Sequence, residues 1–207
     1  MNYSTKLYTI PRGGAICKFV FALMCCVMMA MQSYGQDVEA YAVYTEDANR
    51  DATLTFYYDD QRSSHTTTFD LNTGNHSPEW TNVSSPYRYF DYIKKVVFDK
   101  SFKNAKPTSC YGWFQYTPVE DIIGLEYLNT SNVTNMACMF QVCHSLPELD
   151  FSHFDTHNVT NMEWMFSECF WTSSPEVYTI NLSSFNTENV KNMECMFFGF
   201  TWDIYTC

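Results

Sequence analysis

One nine-residue pattern occurs three times in the second half of the chain and restricts the folds that the chain can adopt. The pattern is Asn-Val-(Thr/Lys)-Asn-Met-x-x-Met-Phe, and its copies begin at Asn132, Asn158 and Asn189. The second interval between copies is slightly longer than the first. Self-similarity with a period in the twenties is typical of proteins built from stacked supersecondary units. The chain is therefore predicted to form a repeat structure.

Each copy follows a short apolar segment, and this order predicts the structure of one unit. Leu149 and Phe151 are two positions apart, so both would point to one face of an extended strand. The Val-x-x-Met-x-x-Met-Phe spacing from Val159 places four apolar side chains on one side of a short helix. Stacked units would form an α/β solenoid with parallel β-strands and short helical turns. The apolar triplets are Ile123, Leu125 and Leu128; Leu149, Phe151 and Phe154; and Ile180, Leu182 and Phe185.

The complete repeat, L-x-[LF]-x-x-[LF]-[ND]-T-x-N-V-[TK]-N-M-x-x-M-F, resembles the BspA-like leucine-rich repeat of bacterial surface proteins. Three segments resemble the amino-terminal region of the same family in Bacteroidales: Leu54–Arg62, Val96–Phe102 and Gly124–Met136. The resemblance covers essentially all of the chain after Gly35. It implies a leucine-rich-repeat fold in a secreted or cell-surface protein of adhesion or binding type. It implies no catalytic residues.

Residues 1–35 are predicted to be a signal peptide. Lys6, Arg12 and Lys18 precede an uncharged apolar run over Phe19–Met31, and small residues in Ser33-Tyr34-Gly35 suit cleavage before Gln36. The run is shorter than the roughly 20 residues that a membrane-spanning helix needs. A retained membrane anchor is the alternative. The interpretation predicts export from a bacterial cell and no membrane insertion after cleavage.

The rest of the chain is predicted to have two parts. Residues 36–95 lack the repeat and alternate in polarity, which predicts a small β cap over the first unit. A separate binding module is the alternative for this region, which is rich in aromatic residues. Residues 96–207 would hold about four units, the first of them degenerate because Pro107 occupies its valine position. The longer interval between the later copies places an insertion around Trp171–Val177.

The last unit ends in an apolar sequence that includes Phe200, Trp202 and Ile204, and no polar capping unit follows it. An uncapped end would expose an apolar face and an open edge. We expect either a truncated version of a longer protein or self-association through this unit.

The charge balance excludes one class of partner. The chain has 12 Lys and Arg residues and 23 Asp and Glu residues, a net charge of −11. Cleavage after Gly35 removes three bases and no acids, leaving a net charge of −14. Nucleic-acid binding requires Lys and Arg to neutralise phosphates, so nucleic acid is not an expected partner. An acidic surface also disfavours anionic membranes.

Six of the nine cysteines follow the signal segment, an even count that suggests disulfides in an exported protein. Cys143 and Cys169 occupy one position in adjacent units, where a bridge would fit. A ladder of buried thiols is the alternative.

The cysteines lack the spacing of a zinc site, and His153 and His157 flank a core residue and need not converge. No metal or other cofactor is predicted.

The predicted function is binding of an extracellular protein or glycan on the concave strand face. Side chains flanking the inward apolar positions would form columns on that face. A purely structural module without a ligand is one alternative. An extracellular hydrolase is another, although the sequence shows no nucleophile–base motif. The residues assigned to the face are Gly124, Glu126, Tyr127, Asp150, Ser152, His153, Asn181, Ser183 and Ser184.

Overall fold

A computed structural model describes residues 37–72, 74–169 and 180–199. The chain divides into two compact units, Met1–Gln36 and Asp37–Cys207, and every described residue lies in the second. The predicted signal peptide, the insertion around Trp171–Val177 and the apolar end after residue 199 lie outside the described residues. These three interpretations stay predictions.

The described residues form one open β-sheet of five strands: β1 (Glu39–Glu46), β2 (Ala52–Asp59), β3 (Thr68–Asp70), β4 (Ile93–Phe98) and β5 (Asp121–Ile123). The strand order is β3-β1-β2-β4-β5. Strand β1 is antiparallel to β2 and β3, whereas β4 is parallel to β2 and β5. The sheet is therefore mixed. Strands β1, β2 and β3 precede residue 95, β4 contains it and β5 follows it. The predicted domain boundary at residue 95 stays a prediction.

The hairpin of β1 and β2 shows how the alternating sequence produces the core face of this sheet. Ala42 lies opposite Phe56, and Tyr44 lies opposite Leu54, so these four side chains point to one face. All four are buried there. The connecting turn places Arg50 at a φ of 69°, in the left-handed region that a tight hairpin loop requires.

The prediction of an α/β leucine-rich-repeat solenoid with parallel strands and short helical turns is wrong. The predicted strands at Leu149–Phe151 and Ile180–Leu182 have no strand structure, and only the first apolar triplet includes a strand residue, Ile123 at the end of β5. No α-helix occurs in the described part of the chain. Its helical segments are short 3-10 turns at Arg62–Ser64, Glu79–Thr81, Tyr89–Tyr92, Lys100–Asn104 and Leu125–Tyr127.

The repeated segments instead form overlapping turns that pair side by side, which we call the turn ladder (residues 109–117, 135–143, 161–169 and 192–199). Every second amide from Met136 to Val142 donates to a carbonyl oxygen of the third segment, at N–O distances of 2.8 to 2.9 Å. The intervening amides, from Met139 to Cys143, donate to the carbonyl three positions earlier at 3.2 to 3.3 Å. The backbone thus alternates between bonds along the chain and bonds to the neighbouring segment.

Left-handed residues make this alternation possible. Cys138 and Val142 have φ values of 57° and 59°, and Trp164 and Glu168 repeat them at 56° and 55° in the next segment. A left-handed residue interrupts an α-helix after each turn. The side chains of Met136, Met139 and Phe140 are still buried together, as they would be on a helix. Helical spacing alone could not distinguish the two conformations.

The sheet and the turn ladder share one apolar core. Phe56 of β2 stacks on Trp113 at a ring-centroid distance of 5.0 Å. From there a column of phenylalanines continues through the segments: Phe114 to Phe140 at 5.3 Å, Phe140 to Phe166 at 5.6 Å, and Phe166 to Phe197 at 5.9 Å. Equivalent residues of successive repeats pair with each other: parallel bridges join Asn135 to Asn161 and Asn161 to Asn192.

Candidate functional site

The residues predicted to form a binding face lie on turns rather than on strands. Glu126 is exposed and Tyr127 is half-buried, and both belong to a 3-10 turn. Gly124 precedes this turn at a φ of 74°. Asp150 and Asn181 are also exposed. The segments around Asp150 and Asn181 do not form the predicted concave strand face, because neither segment is a strand.

Local hydrogen bonds within these turns already use several of the predicted side chains. The Asp150 carboxylate accepts the amide of Ser152 at 2.8 Å, and this bond lowers the pKa of that carboxyl below its usual range. The Asn181 side chain accepts the amide of Ser183 in the same way at 3.0 Å. These are turn-forming contacts of short polar side chains. They explain why Asp and Asn recur at this position of the repeat.

Two other predicted residues are partly withdrawn from solvent. The Ser184 hydroxyl donates to the carbonyl of Phe151 at 2.8 Å, linking neighbouring repeats. His153 is half-buried, packs edge-on against Phe154, and has its Nε2 atom buried without a hydrogen-bond partner. Ligand binding by the residues assigned to this face stays a prediction.

Cys143 and Cys169 are free thiols in the structure, both fully buried. Each thiol donates to the carbonyl of a phenylalanine in the preceding segment, Cys143 to Phe114 at 2.8 Å and Cys169 to Phe140 at 2.7 Å. Burial raises the pKa of Cys143 to about 12 and also raises the pKa of Cys169. Both therefore stay protonated at neutral pH. The predicted disulfide between them is not formed.

A groove on the molecular surface offers a second candidate site. It has a volume of about 460 Å³ and is open to solvent. One wall comes from the loop before β4, and the other comes from the first two segments of the turn ladder. Its lining combines aromatic, aliphatic and polar side chains: Val83, Arg88, Phe90, Asp91, Tyr116, Thr117, Pro118, Val142, His144 and Ser145.

The first wall carries a bidentate ion pair. Arg88 donates to both carboxylate oxygens of Asp91, at 2.6 Å from Nε and 3.0 Å from Nη2. The Arg88 guanidinium also lies 4.9 Å from the centroid of the Phe90 ring. Bidentate pairing fixes both planar groups in one orientation, and the interaction with Asp91 raises the pKa of Arg88. The charges of the two side chains balance each other.

The second wall is held by backbone bonds of the turn ladder. Tyr116 and Val142 are equivalent residues of adjacent segments, with φ values of 64° and 59°. Their amides donate to the carbonyls of Gln141 and Ser167, both at 2.8 Å. Tyr116 is 38 % exposed, and its ring lies 6.3 Å from the buried ring of Phe90. The ladder therefore presents a tyrosine ring at the opening of the groove.

Sequence reasoning missed this groove because its two walls come from separate stretches of the chain, one before β4 and one after it. The aromatic enrichment around Tyr87–Tyr92 was a usable signal. Nothing in the sequence placed that region beside Tyr116 and Val142. Their proximity depends on the loop before β4 folding back against the turn ladder.

Within residues 37–72, 74–169 and 180–199, no group of three or more His, Cys, Asp or Glu side chains is arranged to hold a metal ion. The same residues include no helix long and apolar enough to span a membrane.

Comparison with known protein families gives a match over the turn ladder. Residues 108–203 match a family model described as "Mycoplasma protein of unknown function, DUF285". The matched region begins just before the first segment of the turn ladder and extends beyond the last described segment. The chain is similar to that family over this region. No curated protein matches the chain, and no solved structure matches it.

Proposed function

We propose that this protein is secreted or displayed at the cell surface, where it binds extracellular macromolecules without catalysing a reaction. The observation that carries the proposal is the open groove between the loop before β4 and the turn ladder. It combines exposed ring and aliphatic surface with oriented polar groups, which is the composition of a recognition site. Its shallow, open form suits part of a large ligand.

The charge distribution supports the class of partner. Between residues 108 and 199 the sequence has Lys191 as its single Lys or Arg. The resulting excess of acidic groups repels polyanions such as nucleic acid. A protein or glycan ligand suits this surface better, and the exposed turns at Glu126, Asp150 and Asn181 provide further contact points on the same chain.

The sequence supports the location. A basic stretch, the apolar run Phe19–Met31 and a small-residue cleavage site begin the chain, as in exported proteins. The resemblance of the repeats to BspA-like surface proteins points the same way, and the match to the DUF285 family covers those repeats. We propose on these grounds that the protein is a BspA-like surface protein of adhesion type.

A capture experiment tests the proposed function. The chain from Gln36 to Cys207 would be immobilised and exposed to extracellular-matrix proteins and to intact bacterial cells. We expect saturable binding of at least one of these materials. Saturable binding to neither of them would contradict the proposal.

Variants then locate the binding surface. Replacing Tyr116 with Asn would remove the ring at the groove while keeping a residue that tolerates a positive φ. Replacing Glu126 and Asp150 with Lys would reverse two charges on the exposed turns. Loss of binding in the Tyr116 variant would assign binding to the groove. Loss of binding in the variant with Lys at positions 126 and 150 would assign it to the turns that the sequence predicted. Undiminished binding by both variants would exclude both surfaces.

A further inference from the structure

We infer that the groove lined by Arg88, Phe90, Asp91 and Tyr116 binds an uncharged glycan. The inference rests on the proposed binding function and names the ligand class of that site. It follows from three features of the groove: its ring surface, its balanced charges and the engagement of the backbone amides on its ladder wall.

The ring surface matches one face of a sugar. Pyranose rings expose C–H groups on their faces and hydroxyls at their edges, and the C–H faces pack on the electron-rich face of an aromatic ring. Tyr116 is 38 % exposed at the groove, and Val83 in the same lining is 58 % exposed. The Tyr116 backbone is fixed by the turn ladder, so little conformational entropy is lost there when a ligand is bound.

The polar groups match the hydroxyl edge of a sugar. Neighbouring hydroxyls both donate and accept, so they pair well with a planar carboxylate and a planar guanidinium held side by side. Arg88 and Asp91 are held in this way by two hydrogen bonds, at 2.6 and 3.0 Å. Ser145 and His144 add polar side chains to the lining on the ladder side.

The charges favour a neutral ligand over a charged one. Asp91 already compensates the charge of Arg88, and breaking that pair to bind an anion would leave a carboxylate facing the ligand. The surrounding repeats carry an excess of acidic groups, which also repels sulfated or carboxylated glycans. A ligand that uses both members of the pair without separating them avoids this cost.

The backbone disfavours an extended peptide. Peptides that bind in extended form usually pair with free amides and carbonyls at a strand edge. None of the described strands lines this groove, and the amides of Tyr116 and Val142 are engaged with Gln141 and Ser167. These two amides are therefore not free to bind a ligand, and the ladder wall offers side chains such as the Tyr116 ring instead.

The test uses the chain from Gln36 to Cys207 on an array of neutral, sialylated and sulfated oligosaccharides. The strongest neutral oligosaccharide would then be titrated by calorimetry against the unaltered chain and against three variants. Y116N removes the ring at the groove. D91N breaks the planar ion pair at the groove with little change in side-chain volume.

W164N is the matched control. Trp164 is another aromatic residue with a positive φ on the turn ladder, and it does not line the groove. Thermal unfolding of each variant shows whether it is folded. We expect Y116N and D91N each to raise the Kd by about tenfold or more, the equivalent of about 1.4 kcal/mol. W164N should change the Kd by less than about twofold.

Three results would overturn the glycan inference: binding of charged glycans only, binding of no glycan, or equal losses in W164N and the groove variants. If the chain captures cells or matrix proteins but no glycan, the inference fails and the proposed function stands. If it captures neither, both fail. If one groove variant is unfolded, the other decides the assignment.

Discussion

Positive φ values at non-glycine residues are the most unusual local feature of this protein. Tyr116, Cys138, Val142, Trp164 and Glu168 all have φ values between 55° and 64° on the turn ladder. Each such residue costs roughly 1–2 kcal/mol relative to a right-handed conformation. The amides that they supply to the next segment offset this cost. Glycine occupies equivalent positions at Gly112 and Gly199, where the cost is absent.

Two glycines allow the cost of a side chain to be separated from the cost of the backbone conformation. Gly124 has a φ of 74°, and a Cβ atom there would lie 2.3 Å from the Phe98 carbonyl oxygen. Gly74 has a φ of 85° with no atom within 4 Å of its Cβ position. We expect G74A to lose about 1–2 kcal/mol in unfolding free energy. G124A should lose about 1–3 kcal/mol more, because it also forces the Phe98 backbone to move.

Urea unfolding followed by circular dichroism measures both losses. The ordering of the two variants matters more than their absolute values. Equal losses in G74A and G124A would show that Gly124 does not pack closely against the end of β4.

At the scale of the element, the turn ladder depends on one side chain per segment as much as on its backbone. Asn135, Asn161 and Asn192 occupy equivalent positions, and each side-chain oxygen accepts the amide two positions later at 2.9 or 3.0 Å. Ser109 takes this role in the first segment, accepting the amide of Tyr111 at 3.1 Å. This side chain starts each series of turns, as an N-cap starts a helix.

Asn135 is the best position at which to test this role, because it is only 4 % exposed. Its side-chain nitrogen donates to Asn75 at 2.6 Å and to the carbonyl of Gly74 at 3.3 Å. N135A leaves the buried amide of Ala137 without an acceptor, so we expect a loss of about 1–3 kcal/mol in unfolding free energy.

N135S is the control, since serine performs the same task at position 109. Its hydroxyl can accept the amide of Ala137, and it should lose less than about 1 kcal/mol. Chemical denaturation compares the two variants. A serine variant as unstable as the alanine variant would show that contacts to the 74–75 loop, rather than the capping bond, are what matter.

Across the whole molecule, one core joins the sheet to the turn ladder. Phe56 is central to it, with ring centroids of Phe98, Phe102 and Trp113 at 4.7, 5.5 and 5.0 Å. A shared core implies that the sheet and the ladder unfold together, because neither can expose its side of the contact without destabilising the other.

F56A tests this coupling. Removing a fully buried phenylalanine ring should lower the unfolding free energy by about 3–5 kcal/mol. Tryptophan fluorescence and amide exchange at Phe140 and Phe166 should report the same single transition. The control is T55A, on the opposite face of β2, with an expected loss below about 1 kcal/mol. Separate transitions for sheet and ladder would contradict the coupling.

Part of this architecture was readable from the order of residues alone. The recurrence of one motif at Val133, Val159 and Val190 identified which segments lie side by side, because equivalent residues of successive repeats become neighbours when the repeats stack. The apolar positions of the first two copies, such as Met139 and Phe140, are buried as expected, whereas Met193 and Phe197 of the third copy are exposed. Burial follows from hydrophobicity and spacing, which are local properties.

The backbone conformation and the groove were decided only when distant parts of the chain packed together. A series of turns with left-handed residues at Cys138 and Val142 buries the same side chains as a helix, so the pattern could not separate them. The turns are favoured because carbonyl oxygens of a neighbouring segment accept hydrogen bonds from every second amide. For the Cys138 amide, the acceptor is the Glu163 carbonyl, one whole repeat away. The groove likewise exists only because Arg88 and Tyr116 meet across the fold, a proximity that no local spacing encodes.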